Sequence, residues 1–448
     1  MSVPDSARVV LPAGRDGRAG RPPVRRVAVV GSGVAGLTAA YRLQRDAVAV
    51  TLYEADTRLG GHAHTQEATG ADGRPVPLDT AFLVHNRRTY PHLVELFGEL
   101  GIATRESEMS MSVRCLGCGL EYAGSRGPAG LLAQPSAALR GRYLRMLAEV
   151  PLFHRRARQL LARTDPAADE IPLARFLADG GFSRYFVAHF MTPVVSAVWS
   201  CAPDLAGEYP ARYLFAFLDN HGLLSVTGSP AWRTVVGGSR TYVERIAERL
   251  TAVHRGAPVR TVLRRPDEVE VVTEDGRRAT YDGVVVATHP DQALRLLAEP
   301  TAAEREVLGA IRYSRNPTVL HRDASLLPRS AWAKASWNYL MPSCEGGSEH
   351  VRVSYHLNRL LRLDTAEDYL VTLNEDPAHP VPADRVVARM VYEHPVYTRE
   401  MLAAQRRLPE LTTGRTAFAG AYHGWGFHED GCRSGVEAAR ALAGVVAR

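Results

Sequence analysis

The sequence of 448 residues contains a single lysine, Lys334, so arginine carries almost all of its positive charge. It has no run of about 18 apolar residues, and it therefore predicts no membrane-spanning helix. Its five cysteines are sparse and odd in number. This usage predicts a reducing cytoplasm and argues against a disulfide framework.

The composition is that of an ordinary globular protein, with 46% hydrophobic and 23% charged residues. These fractions exclude a disordered or collagen-like chain. The net charge of +6 is too small for this length to predict a nucleic-acid partner, although it is compatible with an anionic substrate or a membrane surface. Residues 1–23 lack apolar periodicity and predict a flexible tail.

A glycine-rich turn follows the first apolar run. Arg26–Val30 predicts a strand, Leu37–Arg45 a helix and Val48–Tyr53 a second strand, which together form a βαβ unit. The intervening turn has the G-x-G-x-x-G spacing of nucleotide-binding loops: its first glycine permits the tight turn, its second the approach of a pyrophosphate and its third close helix packing. The predicted contacts are Gly31, Ser32, Gly33, Val34, Ala35 and Gly36.

Glu54 ends the second strand at the position where a carboxylate binds a ribose. The turn, the helix and this carboxylate together predict a dinucleotide site, because the amides at the start of the helix also favour phosphate.

The rest of the chain predicts a mixture of helices and strands. Apolar periodicity predicts helices at Tyr90–Leu100 and Tyr242–Leu250 and a mainly helical segment at 130–220. Strands are predicted at Val259–Leu263, Val269–Thr273 and Gly283–Ala287, with Asp275-Gly276 as a hairpin turn between the last two. A strand, a glycine-rich loop and a helix are predicted in 416–448.

The segment after Glu54 resembles flavoproteins of the amine oxidase and phytoene desaturase superfamily. Arg58-Leu-Gly60-Gly61 is similar to the E-x-x-x-R-x-G-G extension of that superfamily. The resemblance recurs in three more segments, namely Val236–Gly238, Asp282–Pro290 and Ala417–Ala439.

Longer segments resemble a bacterial branch of NAD/FAD-binding, amine-oxidase-like proteins. They are Gly60–His64, Trp199–Pro203, Asp219–Gly222, Trp337–Tyr339, Tyr392–Pro395 and Gly426–Gly431. Genes of this branch often lie near genes for fatty-acid-modifying methyltransferases, so the resemblance points toward a lipid substrate.

The resemblance implies an α/β fold and FAD as the cofactor. A Rossmann-like FAD-binding domain with three layers, of the glutathione-reductase type, would be interleaved with an α+β substrate domain. The expected FAD-binding segments are 24–105, 225–300 and 408–448, and the expected substrate-domain segments are 106–224 and 301–407. Besides the glycine turn and Glu54, the expected cofactor contacts are Ala55, Arg58, Gly60, Gly61, His62, Ala63, His64, Val259, Ala287, Gly420, Ala421, Phe427, His428 and Gly431.

Two departures from the superfamily pattern concern the chemistry. Ala421 stands where an acidic residue is usual, so flavin binding there would rest on backbone amides. The lysine of many amine oxidases aligns near Pro317 or Thr318, and Lys334 is too far along the chain to replace it. This argues against oxygen-dependent amine oxidation.

His428, Tyr422 and Trp425 are the catalytic candidates. In the family register His428 faces the substrate side of the flavin, where an imidazole with a pKa of about 6.5 can accept a proton. The alternative is that it only packs against the cofactor. Tyr422 and Trp425 either restrict access to the flavin or pack as ordinary aromatic residues.

No metal site is predicted. His62 and His64 have no third ligand nearby in sequence; covalent flavin attachment and a structural role are the alternatives for them. Cys115 and Cys118 have C-x-x-C spacing, but zinc would need a second pair, so they are interpreted as loop cysteines, with a redox role as the alternative.

The sequence therefore predicts a cytoplasmic FAD-dependent oxidoreductase that takes hydride from a C–H bond of an apolar substrate, such as a fatty-acyl chain or another lipid. One alternative is an amine oxidase that releases peroxide. Another is a non-catalytic FAD-binding scaffold on the inner face of the membrane, with the arginine-rich segment Arg140–Arg163 as its lipid-facing surface. A solvated helix face is the simpler interpretation of that segment.

Overall fold

The computed structural model describes residues 25–165, 170–225, 228–344 and 352–443, so the predicted tail at 1–23 lies outside them. The strands within these ranges are β1 Arg26–Val30, β2 Ala49–Tyr53, β3 Thr65–Thr69, β4 Pro75–Asp79, β5 His85–Asn86, β6 Thr104–Glu106, β7 Met111–Cys115, β8 Glu121–Ala123, β9 Trp232–Val235, β10 Ala252–His254, β11 Val259–Arg264, β12 Val269–Thr273, β13 Arg278–Tyr281, β14 Gly283–Val286, β15 Tyr313–His321, β16 Trp337–Met341, β17 Val353–His356, β18 Leu370–Leu373, β19 Val386–Pro395 and β20 Thr416–Phe418. The α-helices are α1 Val34–Arg45, α2 Pro91–Leu100, α3 Gly127–Leu131, α4 Gly141–Leu161, α5 Leu173–Asp179, α6 Arg184–Phe186, α7 Thr192–Trp199, α8 Ala211–Asn220, α9 Arg240–Ala247, α10 Pro290–Leu296, α11 Ala302–Gly309, α12 Leu357–Leu360, α13 Arg399–Arg407 and α14 His428–Ala443.

The predicted βαβ unit is present and forms the centre of a parallel sheet. Helix α1 begins at Val34 instead of the predicted Leu37, because Gly33 is its N-cap. Five strands pair in the order β10-β2-β1-β14-β20, and every pair is parallel. The carboxyl ends of all five strands therefore lie along one edge, which is where open α/β sheets bind their ligands.

Alternate residues of β1 pack into two different layers, because successive side chains of a strand point to opposite faces. Val27 and Val29 pack in the core formed with α1, α2, α9 and α14. Ala28 and Val30 pack in the core that contains Val271 of the antiparallel sheet β11-β12-β13. Helices, parallel sheet and antiparallel sheet make the three layers that were predicted, and the α/β fold class is confirmed.

The predicted hairpin around Asp275-Gly276 has a different second strand. The turn joins β12 to β13, which pair with Val271 opposite Ala279. The expected partner, Gly283–Val286, is β14 of the parallel sheet and pairs with β1. The prediction was wrong because β13 is short and partly polar, so its sequence indicates a strand less clearly than the valine run of β14 does.

A second, larger sheet lies in the other half of the molecule. Its seven strands have the order β19-β15-β18-β17-β16-β7-β8, and its pairs are antiparallel except for β7 with β16. The predicted helical segment packs around Phe153 of α4, which contacts five other phenylalanine rings. A short π-helical turn, Val187–Met191, interrupts this segment between α6 and α7. In the part of the chain that the structure covers, no helix combines the length and hydrophobicity needed to cross a bilayer.

Candidate active site

The glycine-rich turn between β1 and α1 forms one end of a large cavity. Gly31 has a φ of +100°, and a Cβ there would lie 2.6 Å from the carbonyl oxygen of Ala287. A Cβ on Gly36 would lie 1.9 Å from the carbonyl oxygen of Gly31, so Gly36 allows close packing of α1 without reaching the cavity. Beside Gly33 no atom lies within 4 Å of the Cβ position, which leaves room for a phosphate.

The N-terminus of α1 opens onto the same space. No side chain caps the helix at Gly33, and its first turn contains no acidic residue. The first amides of a helix have no acceptors within it, and the helix dipole places positive potential there. Val34 and Ala35 line the cavity at this point, so the turn fits a pyrophosphate.

Glu54 is held beside the turn by three hydrogen bonds. Its Oε2 atom accepts from the backbone N–H of Ser32 at 2.9 Å and from its hydroxyl at 2.5 Å. Its Oε1 atom accepts from the backbone N–H of Asp56 at 2.9 Å. Ser32, Glu54, Ala55 and Val259 all line the cavity.

The second glycine pair lies directly against the first turn. Gly60 forms a parallel bridge with Gly33, and a Cβ on Gly61 would lie 3.2 Å from the Cα atom of Gly33. Gly61 has a φ of +55°, which favours glycine. Gly61 and His62 line the cavity, whereas Gly60 and Ala63 lie behind it.

The side chain of Arg58 stabilises the loop to which it belongs. Its Nη1 atom donates to the carbonyl oxygens of Leu59, Gly61 and Ala63 at 3.0–3.3 Å. The residue does not line the cavity, so the predicted contact with a phosphate stays a prediction. These hydrogen bonds keep the second glycine pair in place.

His62 and His64 have different environments. His64 donates or accepts at both ring nitrogens, with Tyr392 Oη at 2.8 Å and Gln66 Nε2 at 2.8 Å, and it does not line the cavity. His62 faces the cavity, and its Nε2 atom is buried without a partner among the described residues. Burial lowers the pKa of His62. Of the two, only His62 could therefore contact a cofactor.

The opposite wall comes from β14, β20 and the N-terminus of α14. Ala287, Gly420, Ala421, Phe427 and His428 line the cavity there. Gly431 does not line it; a Cβ at Gly431 would lie 2.6 Å from Cγ1 of Val34, so this glycine lets α14 pack on α1.

His428 is partly buried beside the cavity, and its imidazole is neutral at physiological pH. Its ring stacks on Phe82 with centroids 3.7 Å apart, and its Nε2 atom lies 3.1 Å from Tyr242 Oη. Burial, reinforced by His85, lowers the pKa of His428 to about 3. The predicted base had a pKa of about 6.5, and the structure does not support that value, because the surroundings of the imidazole disfavour its charged form.

The two acidic residues after His428 have structural roles. Glu429 accepts from the backbone N–H groups of His92 and Leu93 and from His92 Nδ1 at 2.7–3.0 Å, which caps the N-terminus of α2. Asp430 accepts from the backbone N–H of Phe427 at 3.1 Å, and burial raises its pKa to about 6.

Tyr422 and Trp425 belong to the aromatic wall of the cavity. Tyr422 is fully buried and covers Gly420, and its hydroxyl has no partner among the described residues. The carbonyl oxygen of Trp425 accepts from Trp199 Nε1 at 3.0 Å, which fixes the loop. Both residues face the cavity, so the predicted role in shaping it fits their positions.

Residues outside the expected cofactor and catalytic contacts complete the wall. His289, Tyr313, Tyr392 and His394, from the start of α10 and the β15–β19 pair, line the cavity. His221 and Trp232 also line it, whereas their neighbours Asn220 and Arg233 do not. The Tyr392–Pro395 motif was visible in the sequence, but its orientation depends on the pairing of β15 with β19.

The cavity has a volume of about 1140 Å³, which exceeds the usual range of roughly 300–1,000 Å³ for one small ligand. The part of it that is lined by residues 109–198 is mainly apolar. The lining residues contributed between 109 and 198 are Met109, Ser110, Met111, Val113, Tyr122, Gly124, Ser125, Leu131, Met146, Leu147, Val150, Pro151, Phe153, His154, Phe190, Met191, Val194 and Val198. We call this set the apolar arm; it contains no Asp, Glu, Lys or Arg.

No lysine lines the cavity within the part of the chain that the structure describes. Thr318 is buried in β15 and its hydroxyl donates to the carbonyl oxygen of Asn316 at 3.0 Å. Lys334 also lies outside the cavity wall, and its carbonyl oxygen accepts from Arg126 at 2.5 Å.

A family model described as flavin containing amine oxidoreductase matches residues 34–321. Coproporphyrinogen III oxidase of Mycobacterium leprae is 29% identical over 303 residues, which are 64% of this chain and 64% of that protein. The chain thus matches just under two thirds of the length of this curated relative.

Two solved structures have the same fold. Putrescine oxidase bound to putrescine superimposes with a TM-score of 0.66 at 18% identity, over 95% of this chain and 99% of the other. The CLA-producing fatty acid isomerase from P. acnes also has a TM-score of 0.66 at 18% identity, over 92% and 97% of the two chains.

Proposed function

The chain belongs to the family of flavin-containing amine oxidoreductases, and on this premise we propose that it is an FAD-dependent oxidoreductase that acts on a C–H bond of an apolar substrate. FAD is its cofactor. The glycine turns, the uncapped N-terminus of α1 and the Glu54 carboxylate fit the pyrophosphate and ribose of that cofactor.

The apolar arm carries the substrate assignment. It leads from the aromatic wall into the helical segment, and methionine, leucine, valine and phenylalanine side chains dominate it. A charged substrate would need a partner charge inside such a cavity, because burying an unpaired charge is costly. A fatty-acyl or other lipid chain needs none.

When bound, the flavin would supply the acceptor at N5 for a hydride from the substrate, and the neighbouring carbon would lose a proton, released in the end to solvent, so that a C=C bond forms. The residues of this chain would bind and orient the two molecules. The turn at Gly33 would hold the pyrophosphate, and the aromatic residues around Trp425 would position the reacting carbon. His428, which is neutral, would contribute an uncharged surface next to the N-terminus of α14.

We propose that the chain forms an FAD-binding domain and a substrate domain with the boundaries that the sequence predicts. The strands of the parallel sheet all come from 24–105, 225–300 and 408–448, and those of the seven-stranded sheet all come from 106–224 and 301–407. The cavity is lined by residues of both groups, which supports a substrate bound between two domains.

Amine oxidation with peroxide release is the second candidate, and the family and the putrescine oxidase fold favour it. The apolar arm argues against it, because no carboxylate is available there to bind an ammonium group. The absence of a lysine along the described cavity wall argues in the same direction.

The test is anaerobic flavin reduction in the FAD-loaded protein. Long-chain fatty acids and diamines are mixed with it separately, and the loss of the yellow flavin absorbance is followed. Val150→Trp should fill the apolar arm, while Leu144→Trp, on the exposed face of the same helix, is the matched control. We expect reduction by a fatty acid, weakened at least about tenfold in Val150→Trp, or ~1.4 kcal/mol, and unchanged in Leu144→Trp.

Reduction by diamines alone, with no effect of Val150→Trp, would replace this proposal by amine oxidation. A bound flavin that neither class reduces would favour the non-catalytic scaffold.

We also propose that the protein is cytoplasmic and makes a peripheral contact with a membrane surface. Leu132, Leu139 and Leu144 are exposed around the start of α4, with Leu139 88% exposed. The arginines of α4 support this less than the sequence suggests, because Arg145 pairs with Glu149 and Arg158 donates to Leu224. Sedimentation with anionic vesicles tests the contact, and Leu139→Glu should abolish it; equal sedimentation of both proteins would refute it.

A further inference from the structure

Cys115, Cys118, His189 and Cys344 come together behind the apolar arm. The prediction that the C-x-x-C pair has no second pair of ligands is therefore wrong, because the fold supplies one from distant parts of the chain. The four potential ligand atoms all lie within 4.8 Å of one another. We call these four residues the Cys3His cluster.

The distances in the cluster suit a tetrahedral metal ion. Cys115 Sγ lies 3.6 Å from Cys344 Sγ, and Cys118 Sγ lies 3.6 Å from His189 Nε2. Zinc binds thiolate at about 2.3 Å and imidazole at about 2.0 Å in tetrahedral sites, which places ligand atoms roughly 3.5–3.8 Å apart. A disulfide needs sulfurs about 2.05 Å apart, so these cysteines are not bonded to each other.

The imidazole of His189 is oriented as a ligand. Its Nδ1 atom lies 3.2 Å from the carbonyl oxygen of Tyr185, so Nδ1–H donates there and the lone pair of Nε2 faces the thiols. Backbone carbonyls orient metal-binding histidines in the same way. The ring also stacks on Tyr185 with centroids 3.8 Å apart. The π-helical turn Val187–Met191 carries this histidine, and such turns frequently occur at functional sites.

Two glycines shape the backbone around Cys118. A Cβ on Gly117 would lie 3.0 Å from the backbone nitrogen of Cys344. Gly119 has a φ of +67°, which turns the chain back into β8 after Cys118. Arg140 donates to the carbonyl oxygen of Cys118 at 3.0 Å, and its charge would offset the excess negative charge of three thiolates on a divalent ion.

We propose that the Cys3His cluster binds a structural Zn²⁺ ion. All four ligand positions are filled by protein, which is typical of structural zinc and leaves no open position for catalysis. The site is independent of the proposed substrate.

The ion would tie together the elements that carry the apolar arm. Met111 and Val113 of β7 precede Cys115, and Phe190 and Met191 follow His189. Tyr122 of β8 reinforces the link, since its hydroxyl donates to the carbonyl oxygen of His189 at 2.7 Å. Zinc would thus shape the substrate end of the cavity while leaving the cofactor end unaffected.

The test is elemental analysis of the FAD-loaded protein purified without chelators, together with X-ray absorption at the zinc edge. We expect about one zinc per chain, with three sulfur ligands at about 2.3 Å and one nitrogen at about 2.0 Å. Cys118→Ser and His189→Ala should lose the zinc and keep the flavin. Cys201→Ser is the matched control, because Cys201 is buried outside the cluster, and it should retain both.

Replacing zinc by Co²⁺ in the wild-type protein keeps the proposal testable if the cysteine variants do not fold. Tetrahedral thiolate coordination would give absorption bands at wavelengths beyond the flavin spectrum. Protein that contains no zinc and gives no such bands would overturn the proposal, as would iron in place of zinc. A Cys115–Cys344 disulfide found by mass spectrometry after alkylation would also overturn it.

Discussion

The phenol of Tyr242 lies 3.1 Å from Nε2 of His428 and shares a hydrogen bond with it. Burial raises the pKa of Tyr242 and lowers the pKa of His428, so both groups are uncharged at neutral pH. The hydrogen bond therefore joins α9 to the N-terminus of α14 through two neutral side chains.

The pH dependence of flavin reduction should not report His428. Because the pKa of His428 is near 3, we expect His428→Ala to leave every inflection of the rate–pH profile between pH 5 and pH 8 unchanged. The variant should slow flavin reduction less than about tenfold, whereas loss of a general base slows a reaction about a hundredfold or more. Stopped-flow reduction across this range measures both. An inflection near pH 6.5 that disappears in His428→Ala would restore the base assignment.

Alanine at Gly36 and at Gly33 should separate folding from cofactor binding. At Gly36 the methyl group would lie 1.9 Å from the Gly31 carbonyl oxygen, so we expect a loss of about 3 kcal/mol or more in the free energy of unfolding. At Gly33 the methyl group meets no protein atom within 4 Å, so the free energy of unfolding of the apoprotein should equal that of the wild type. FAD affinity should still fall at least about tenfold, or ~1.4 kcal/mol. Equal FAD affinity in Gly33→Ala and wild type would contradict a pyrophosphate at this turn.

The Glu54 carboxylate should contribute to FAD affinity. Glu54→Gln removes its charge and two of its acceptor positions, and a hydrogen bond to a charged group is worth about 1.5–3 kcal/mol. We expect FAD to bind roughly tenfold to a hundredfold more weakly, measured by fluorescence titration. Glu67→Gln is the control, because Glu67 pairs with Arg240 on the surface and does not line the cavity. Similar losses in both variants would indicate a general effect of charge.

Buried histidines should make the protein labile to acid. His321 is fully buried; its Nε2 atom lies 2.7 Å from Thr372 Oγ1, and its Nδ1 atom accepts from the backbone N–H of Asp323. Burial lowers its pKa to about 4. The unfolded state therefore binds a proton that the folded state does not, so stability is complete above about pH 6.5 and is lost as the pH falls toward 4.

Across that window His321 should account for about 3 kcal/mol of the loss. His321→Gln should flatten the dependence of the unfolding free energy on pH, as measured by urea denaturation. His379→Gln, at an imidazole that is 85% exposed, should leave it unchanged. An unchanged slope in His321→Gln would contradict the assignment.

The sequence predicted the βαβ unit and the α/β fold class because their signals are local. The glycines at 31, 33 and 36 and the carboxylate at 54 belong to one βαβ unit, and each has a mechanical reason that spacing alone reveals. The α/β class followed from the same unit. The apolar arm was expected only in general terms, since no short motif reports which faces of β7 and α4 meet.

The remaining contacts depend on residues far apart in the chain. Glu429 caps a helix 337 positions away, and Cys344 meets a cysteine 229 positions away. The low pKa of His428 results from burial that no spacing reveals. In the sequence the C-x-x-C pair has no further ligand nearby, whereas in the folded chain His189 and Cys344 lie beside it.

The position of β20 and α14 has a consequence for how the protein matures. β20 forms one edge of the parallel sheet beside β14, and α14 packs on α1 although the two helices are far apart in the described chain. The cavity wall at the glycine turn is therefore complete only when α14 has folded onto the βαβ unit. A folding intermediate that contains the βαβ unit without α14 would accordingly hold only part of the FAD site.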